Sequence, residues 1–296
     1  MLLVTGATGH SAKFFFDTLV KQEYQKRIRC LVRETSQIES LQKLDLDLEF
    51  FYADFQDITH LKESMIGIDV VLHITGLPYS EKIIRAGNEM GVDWLICVHT
   101  TAVFSKYRMA YSMYKEVEDR LLTKYSNLTI LRPTMIYGSS KDKNIWKLIT
   151  YLHSHKFFPV FGSGKNFLQP VHAKDLGLAY AFVLQNKKVT YGKQYNLAGK
   201  ERISYLNLLK EISTSLDKKI VFIHLPLWVS FLMIYLYNFF FNNPSITAEQ
   251  VLRMNEDRTF NYHDAYSDFG FTPMSFQKGI KLEVEEFLEK LRDNKS

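Results

Sequence analysis

Apolar positions along the chain fall into short runs separated by segments of helical spacing. Leu2, Leu3, Val4 and Thr5 run straight into a glycine turn, Gly6-Ala7-Thr8-Gly9, and an amphipathic segment over 13–23 follows at once. Further apolar runs over 27–32, 48–52, 69–74, 94–98 and 128–131 read as strands. Between them, 35–43, 58–65, 80–90 and 108–124 carry helical periodicity. Several strands are apolar throughout, as when both faces of a parallel sheet are covered. The alternation predicts an α/β fold with a doubly wound parallel sheet, whose ligands sit beyond the carboxyl ends of the strands.

After about residue 140 the rhythm loosens. The pattern predicts helices over 141–156, 174–184 and 204–216, a turn at 161–164, and short strands over 167–171 and 193–197. We divide the chain into a nucleotide-binding core, 1–140, and a smaller substrate-covering lobe, 141–296, from which 167–197 returns to the core. Between Lys219 and Glu249 there is no Asp, Glu, Lys or Arg. The centre of that stretch, 225–241, is densely apolar but short for a membrane span and holds Asn238 and Pro226. It reads first as a buried or substrate-capping helix, and second as a peripheral membrane-surface element.

Composition narrows the classes. With 46% hydrophobic and 23% charged residues in 296, the chain is globular with a sizeable core. Its net charge of +5 comes from interspersed lysines and acids, which is no nucleic-acid footprint. The two cysteines, Cys30 and Cys97, lie in apolar strands, and no metal spacing or disulfide framework exists. A reduced, cytoplasmic compartment is expected, with no signal peptide ahead of the first strand, and membrane association only through 225–241.

Two places carry candidate chemistry. The strand–glycine turn–helix at the start aims helix N–H groups at an anion, and small residues let a phosphate approach the backbone. Tyr111 and Lys115, at i and i+4, share a helix face, and an ammonium beside a phenol favours the phenolate. That makes Tyr111 a candidate proton donor or acceptor. Tyr137 and Lys141 repeat the spacing in a turn, outside a helix. Thr100-Thr101-Ala102 ends the fifth strand, where a hydroxyl faces the ligand crevice.

These residues together resemble the extended or atypical short-chain dehydrogenase/reductase superfamily, in its NAD(P)-dependent epimerase/dehydratase branch. The resemblance runs through Thr5-Gly-Ala-Thr-Gly9, Ala53-Asp54, Asp69-Val-Val-Leu-His73 with Thr75-Gly76, and Thr100-Thr-Ala102. It continues through Tyr111-x-x-x-Lys115, Leu131-Arg-Pro-Thr-Met-Ile-Tyr-Gly138, Pro170-Val-His172-Ala-Lys-Asp175 and Asp268-Phe-Gly-Phe-Thr-Pro273. It implies a Rossmann-type core. Gly6, Thr8, Gly9 and the helix start at His10 would cradle the dinucleotide pyrophosphate, with Ala12 as the small residue that lets helix and strand pack closely. Asp54 would meet the adenine amino group with Phe55 beside it, and Thr75 and Gly76 would line the adenosine side. Thr101 would bind the reacting oxygen, Tyr111 would move the proton, Lys115 would hold the nicotinamide ribose and lower the pKa of Tyr111, and Pro133 and Thr134 would border the nicotinamide. His172 is expected to be structural, and His99 has no assigned role.

Arg33 bears on the cofactor. NAD-selective sites usually place an acid after the second strand, whereas an arginine accommodates a 2′-phosphate. The strand here ends at Arg33, so NADP(H) is favoured over NAD(H). The expected function is an NAD(P)-dependent oxidoreductase or epimerase acting on a hydroxyl or carbonyl, foremost of a nucleotide sugar. The alternatives are an apolar, sterol- or lipid-like carbonyl substrate, suggested by 225–241, and a cofactor-binding redox sensor without turnover. A small-molecule substrate, no nucleic acid and, by family analogy, a homodimer are the expected partners.

Overall fold

Strand β1 (Leu2–Thr5) lies inside a parallel sheet in the computed structural model, which describes residues 1–106, 109–142, 144–229 and 256–293, with backbone alone for 109–112. All four of its residues are buried. Leu3 joins the core on one face of the sheet while Leu2 and Val4 join the core on the other, so the two-residue period of a strand feeds both layers. β2 (Ile28–Val32) and β4 (Val70–His73) flank it, with Leu2 in register with Ile28 and Val70. β3 (Leu48–Tyr52) lies outside β2, and β5 (Trp94–Val98) and β6 (Leu128–Pro133) continue beyond β4.

Helices α1 (His10–Lys21), α2 (Glu39–Gln42), α3 (Ile58–Ser64), α4 (Leu77–Glu89) and α5 (Met109–Lys124) connect these strands. α1 starts before the expected 13–23, because Gly9 itself is the N-cap. The helix expected over 35–43 shrinks to one turn. The Ser36 hydroxyl accepts the Arg33 N–H, and the Ser36 N–H donates to the Arg33 carbonyl, holding that stretch in a turn.

The second half begins with β7 (Ile136–Tyr137), α6 (Ile145–Ser154), β8 (Phe157–Phe161), β9 (Phe167–Leu168), β10 (Val171–His172) and α7 (Ala173–Gln185). Asp142 accepts the N–H groups of Asn144, Ile145 and Trp146, which sets the start of α6 after the expected 141. After α8 (Lys187–Thr190), β11 (Gln194–Leu197) pairs with β6 and completes a seven-stranded sheet of order β11-β6-β5-β4-β1-β2-β3. α7 packs tightly on α1. A Cβ on Gly177 would fall 2.5 Å from the backbone of Phe14 and Phe15, so only glycine permits the approach.

β12 (Ile203–Ser204), α9 (Tyr205–Ser215), β13 (Val221–Leu225), α10 (His263–Phe269) and α11 (Phe276–Asp293) complete the described chain. α6, α9 and α11 enclose a separate core around Ile149, Leu209, Ile212, Ile280 and Val284. β8 and β13 pair in parallel as a ribbon over this core, a feature the sequence pattern did not reveal. Of the apolar stretch 225–241, only 225–229 is described, so the capping-helix expectation lies outside the described residues. Among the described residues no helix is long and apolar enough to cross a membrane.

Candidate active site

The glycine turn is shaped for a close anion. Gly6 has φ +74°, and a Cβ on Gly9 would lie 2.9 Å from the Gly6 carbonyl oxygen. Side chains would therefore strain the first position and crowd the second. α1 begins here with no side-chain cap and no acid in its first turn, leaving its N-terminal N–H groups for a ligand. Ala12 is fully buried behind it. Lys141 Nζ donates to the Thr8 carbonyl at 2.8 Å and adds positive charge beside the turn. His10, the first helical residue, is held down at about 4 by burial, so it is neutral at pH 7. These features fit the pyrophosphate of a dinucleotide.

The residues expected on the adenosine side follow along the strand ends. Arg33 and Glu34 are exposed just past β2. Asp54 is exposed, with one carboxylate oxygen accepting the Gln56 N–H at 2.9 Å. Phe55 is buried and stacks on Tyr79 with centroids 4.9 Å apart. Thr75 Oγ1 donates to Thr5 Oγ1 at 3.3 Å, and Gly76, at φ +100°, starts α4. His73 lies beneath them, bonded to Thr5 Oγ1 at 2.7 Å and the Gly76 carbonyl at 3.1 Å, with burial holding it at about 3.

Past the ends of β5 and β6 lies a cavity of about 740 Å³. Thr101, Pro133 and Thr134 are in its wall, and His10 joins them from the glycine turn. Thr101 is buried, and its hydroxyl donates to the Pro133 carbonyl at 3.3 Å. The Thr134 hydroxyl hydrogen-bonds the Gln169 carbonyl. Tyr111 stands in the first turns of α5, but its side chain lies outside the described residues. Lys115 is described, and its ammonium pairs with Asp119, one turn further along α5. It also lies 5.8 Å from the Phe104 ring centroid, and Phe104 lines the cavity.

Two groups of residues here escaped the sequence reading. The first is a buried network behind the cavity. Arg132 Nε donates to Glu118 Oε1 at 2.8 Å, Glu118 Oε2 is 2.5 Å from His99 Nδ1, and His99 Nε2 is 3.1 Å from Ser80 Oγ. Burial pushes the Glu118 carboxyl up, but hydrogen bonds from His99 and Arg132 and the guanidinium charge outweigh it and leave it below the usual range. Burial also lowers His99 against the pull of Glu118. The consistent assignment is a neutral imidazole donating through Nδ1 to a carboxylate, with Nε2 accepting from Ser80. The signal was available: Glu118 is three residues after Lys115 and seven after Tyr111, on one helix face, and Arg132 is a charge inside an apolar strand.

The second group comes from the far end of the chain. Glu256 accepts from the Ser105 hydroxyl at 2.6 Å and the Lys106 N–H at 2.9 Å. Asp257 accepts the Phe167 N–H, the Arg258 N–H donates to the Phe167 carbonyl, and the Phe260 N–H donates to Gln169 Oε1. Residues 256–260 thus form a strap along the cavity, bonded to the loop after Thr101 and to β9. Arg258 and Lys106 are in the cavity wall. No local sequence pattern marks such a long-range wall.

His172 caps α7, its Nδ1 accepting the Lys174 N–H at 3.0 Å. No cluster that could hold a metal ion exists among the described residues.

Residues 6–149 match the model of a family described as NAD(P)H-binding. The chain is 24% identical, over 63% of its length and 68% of the relative's, to N-acetyl-alpha-D-glucosaminyl-diphospho-ditrans,octacis-undecaprenol 4-epimerase from Escherichia coli O157:H7. It is 29% identical to the chloroplast stem-loop binding protein of 41 kDa b from Arabidopsis thaliana, over 71% of this chain and 61% of that one. Among solved structures, UDP-glucuronic acid 4-epimerase from Bacillus cereus, in complex with UDP-glucuronic acid and NAD, superposes with a TM-score of 0.75 at 18% identity. That superposition covers 98% of this chain and 99% of the other.

Proposed function

We infer, from the fold and from the match of residues 6–149 to an NAD(P)H-binding family, that the chain is a member of the extended short-chain dehydrogenase/reductase superfamily. The reading is an NAD(P)-dependent oxidoreductase or epimerase acting at a sugar carbinol or carbonyl, the sugar being joined to its carrier through a diphosphate. The observation that carries it is the position of Thr101, a buried hydroxyl at the carboxyl end of β5 in the wall of a cavity that also includes the start of α1.

When bound, the nicotinamide supplies hydride transfer at the substrate carbon. The chain's residues do the rest. Thr101 holds the reacting oxygen, Tyr111 takes its proton on oxidation and returns it on reduction, and Lys115 stabilises the phenolate. Pro133 and Thr134 border the nicotinamide side. Arg258 and Lys106 supply positive charge for the diphosphate. Lys115 is shared with Asp119. That pair is partly exposed, so it costs little to break. Arg33, open at the end of β2, favours NADP(H) over NAD(H).

The carrier has two readings. A nucleotide is the carrier in the Bacillus cereus complex. A polyprenol is favoured by the uncharged stretch between Lys219 and Glu249 and by the name of the Escherichia coli relative. The test is direct. Purified protein is incubated with NAD(H) or NADP(H) and either a UDP-sugar or a polyprenyl-diphosphate sugar, and products are separated by chromatography. Tyr111→Phe should lower turnover by about 100-fold or more while cofactor affinity stays within about twofold. Binding of cofactor without turnover of any diphosphosugar would turn the reading into a redox sensor.

A further inference from the structure

We propose that the outward face of the β8–β13 ribbon is a docking surface for an anionic lipid bilayer. The register pairs Val221 with Phe157, Ile223 with Pro159 and Leu225 with Phe161, so these six side chains share one face. The opposite face carries Phe158 and Val160 into the lobe core. A sheet with one face in water normally alternates apolar-in with polar-out. Here the outward face is apolar at every position. Phe157 is 57% exposed, Val221 55% and Ile223 46%. A continuous apolar face of this kind marks an interaction surface.

The surroundings select the partner. Trp228, 70% exposed, follows the end of β13, and an indole with an apolar body and one N–H suits the boundary between lipid and water. Because β8 and β13 run parallel, the residues preceding each lie at the same end of the ribbon, where the Val221 N–H donates to the Lys156 carbonyl. That end exposes Lys156, Lys218 and Lys219, with Asp217 beside them. A basic rim on an apolar face matches anionic headgroups over acyl chains. The sequence then carries no charged residue until Glu249.

The experiment is flotation of the full chain with phosphatidylcholine vesicles, with and without phosphatidylglycerol. The chain should float with the anionic vesicles, and binding should weaken by about tenfold or more on pure phosphatidylcholine or in high salt. Val221→Asp with Ile223→Asp should abolish flotation while circular dichroism, melting temperature and cofactor binding stay as in the parent. Trp228→Ala should weaken flotation with the same fold retained. Absence of flotation, or flotation indifferent to the aspartates, overturns the proposal. So does a dimer in light scattering that the aspartates dissociate, since a second copy then covers the face. A melting temperature lowered by the aspartates without vesicle binding also overturns it, because the chain's own residues then cover the ribbon. No turnover is measured, so the result is independent of the redox reading.

Discussion

Glu118 and Arg132 form a buried ion pair that joins α5 to β6, with Arg132 Nε 2.8 Å from Glu118 Oε1. The pair fixes the helix carrying Tyr111 and Lys115 against the strand that ends at Pro133. Glu118→Ala should cost about 3–5 kcal/mol in urea unfolding, because it leaves Arg132 charged and buried and takes the acceptor from His99. Glu118→Gln, which keeps a hydrogen-bonding oxygen, should cost less. Equal, small losses for both would show that the pair does not hold the helix.

Lys115 pairs with Asp119, on the side of α5 away from Tyr111 in sequence. If Lys115 must serve Tyr111, Asp119 competes for it. Asp119→Asn should leave stability within about 1 kcal/mol, since Asp119 is well exposed. If Tyr111 takes the proton on oxidation, an ammonium released to it should move the rising limb of the pH–rate profile for that direction to lower pH. A limb that stays in place would separate Lys115 from the proton transfer.

Arg33 offers a test of cofactor choice. Arg33→Ala should raise the NADPH dissociation constant by about tenfold or more and change that of NADH by less than about twofold. Fluorescence titration reads both. Parallel shifts would assign Arg33 no part in selecting the 2′-phosphate.

Glu283 is fully buried on α11, its Oε2 accepting the Gly138 N–H at 3.0 Å. Burial, with help from Asp142 nearby, raises it from 4.5 to about 9. Between those values the folded state keeps a proton that the unfolded state has released, so this group makes stability fall as pH rises through that window. Glu283→Gln removes the titration. The variant should gain about 1–3 kcal/mol over the parent near pH 9 and show a flatter stability profile from about pH 5 upward. Chemical unfolding at several pH values checks this.

Gly138 should tolerate no side chain. Its φ is +116°, and a Cβ would lie 2.3 Å from His172 Nε2. Gly138→Ala should destabilise by roughly 3 kcal/mol, combining backbone strain with displacement of the ring that caps α7. A loss below about 1 kcal/mol would mean that His172 can swing away without cost.

The sheet was legible because most of its strands are short, largely apolar runs punctuated by glycine or a helical period. β3 and β5 fall on the expected residues. The lobe was less legible. β8 holds Pro159 and lies between the helix expected to end at 156 and the turn expected to begin at 161, so its short run was assigned to no element. β13 leads into the uncharged stretch and was lost in it. At the site, the glycine turn and the Tyr111/Lys115 spacing are local patterns and could be read directly. The partnership of His99, Glu118 and Arg132 joins two strands and a helix, and that of Ser105 and Glu256 spans 151 residues. Neither leaves a periodic trace. Even Lys115 shows the limit: its helix face was readable, but its choice of Asp119 was not.

The bond between Ser105 and Glu256 spans a sequence separation of 151 residues. Closing so long a loop is an entropic cost met only after the lobe has docked on the sheet. The strap should therefore form late in folding, whereas the glycine turn needs only β1 and α1 and the elements around them. Under mild denaturant the strap should release first, and the chain should then lose its grip on a substrate while still holding a dinucleotide.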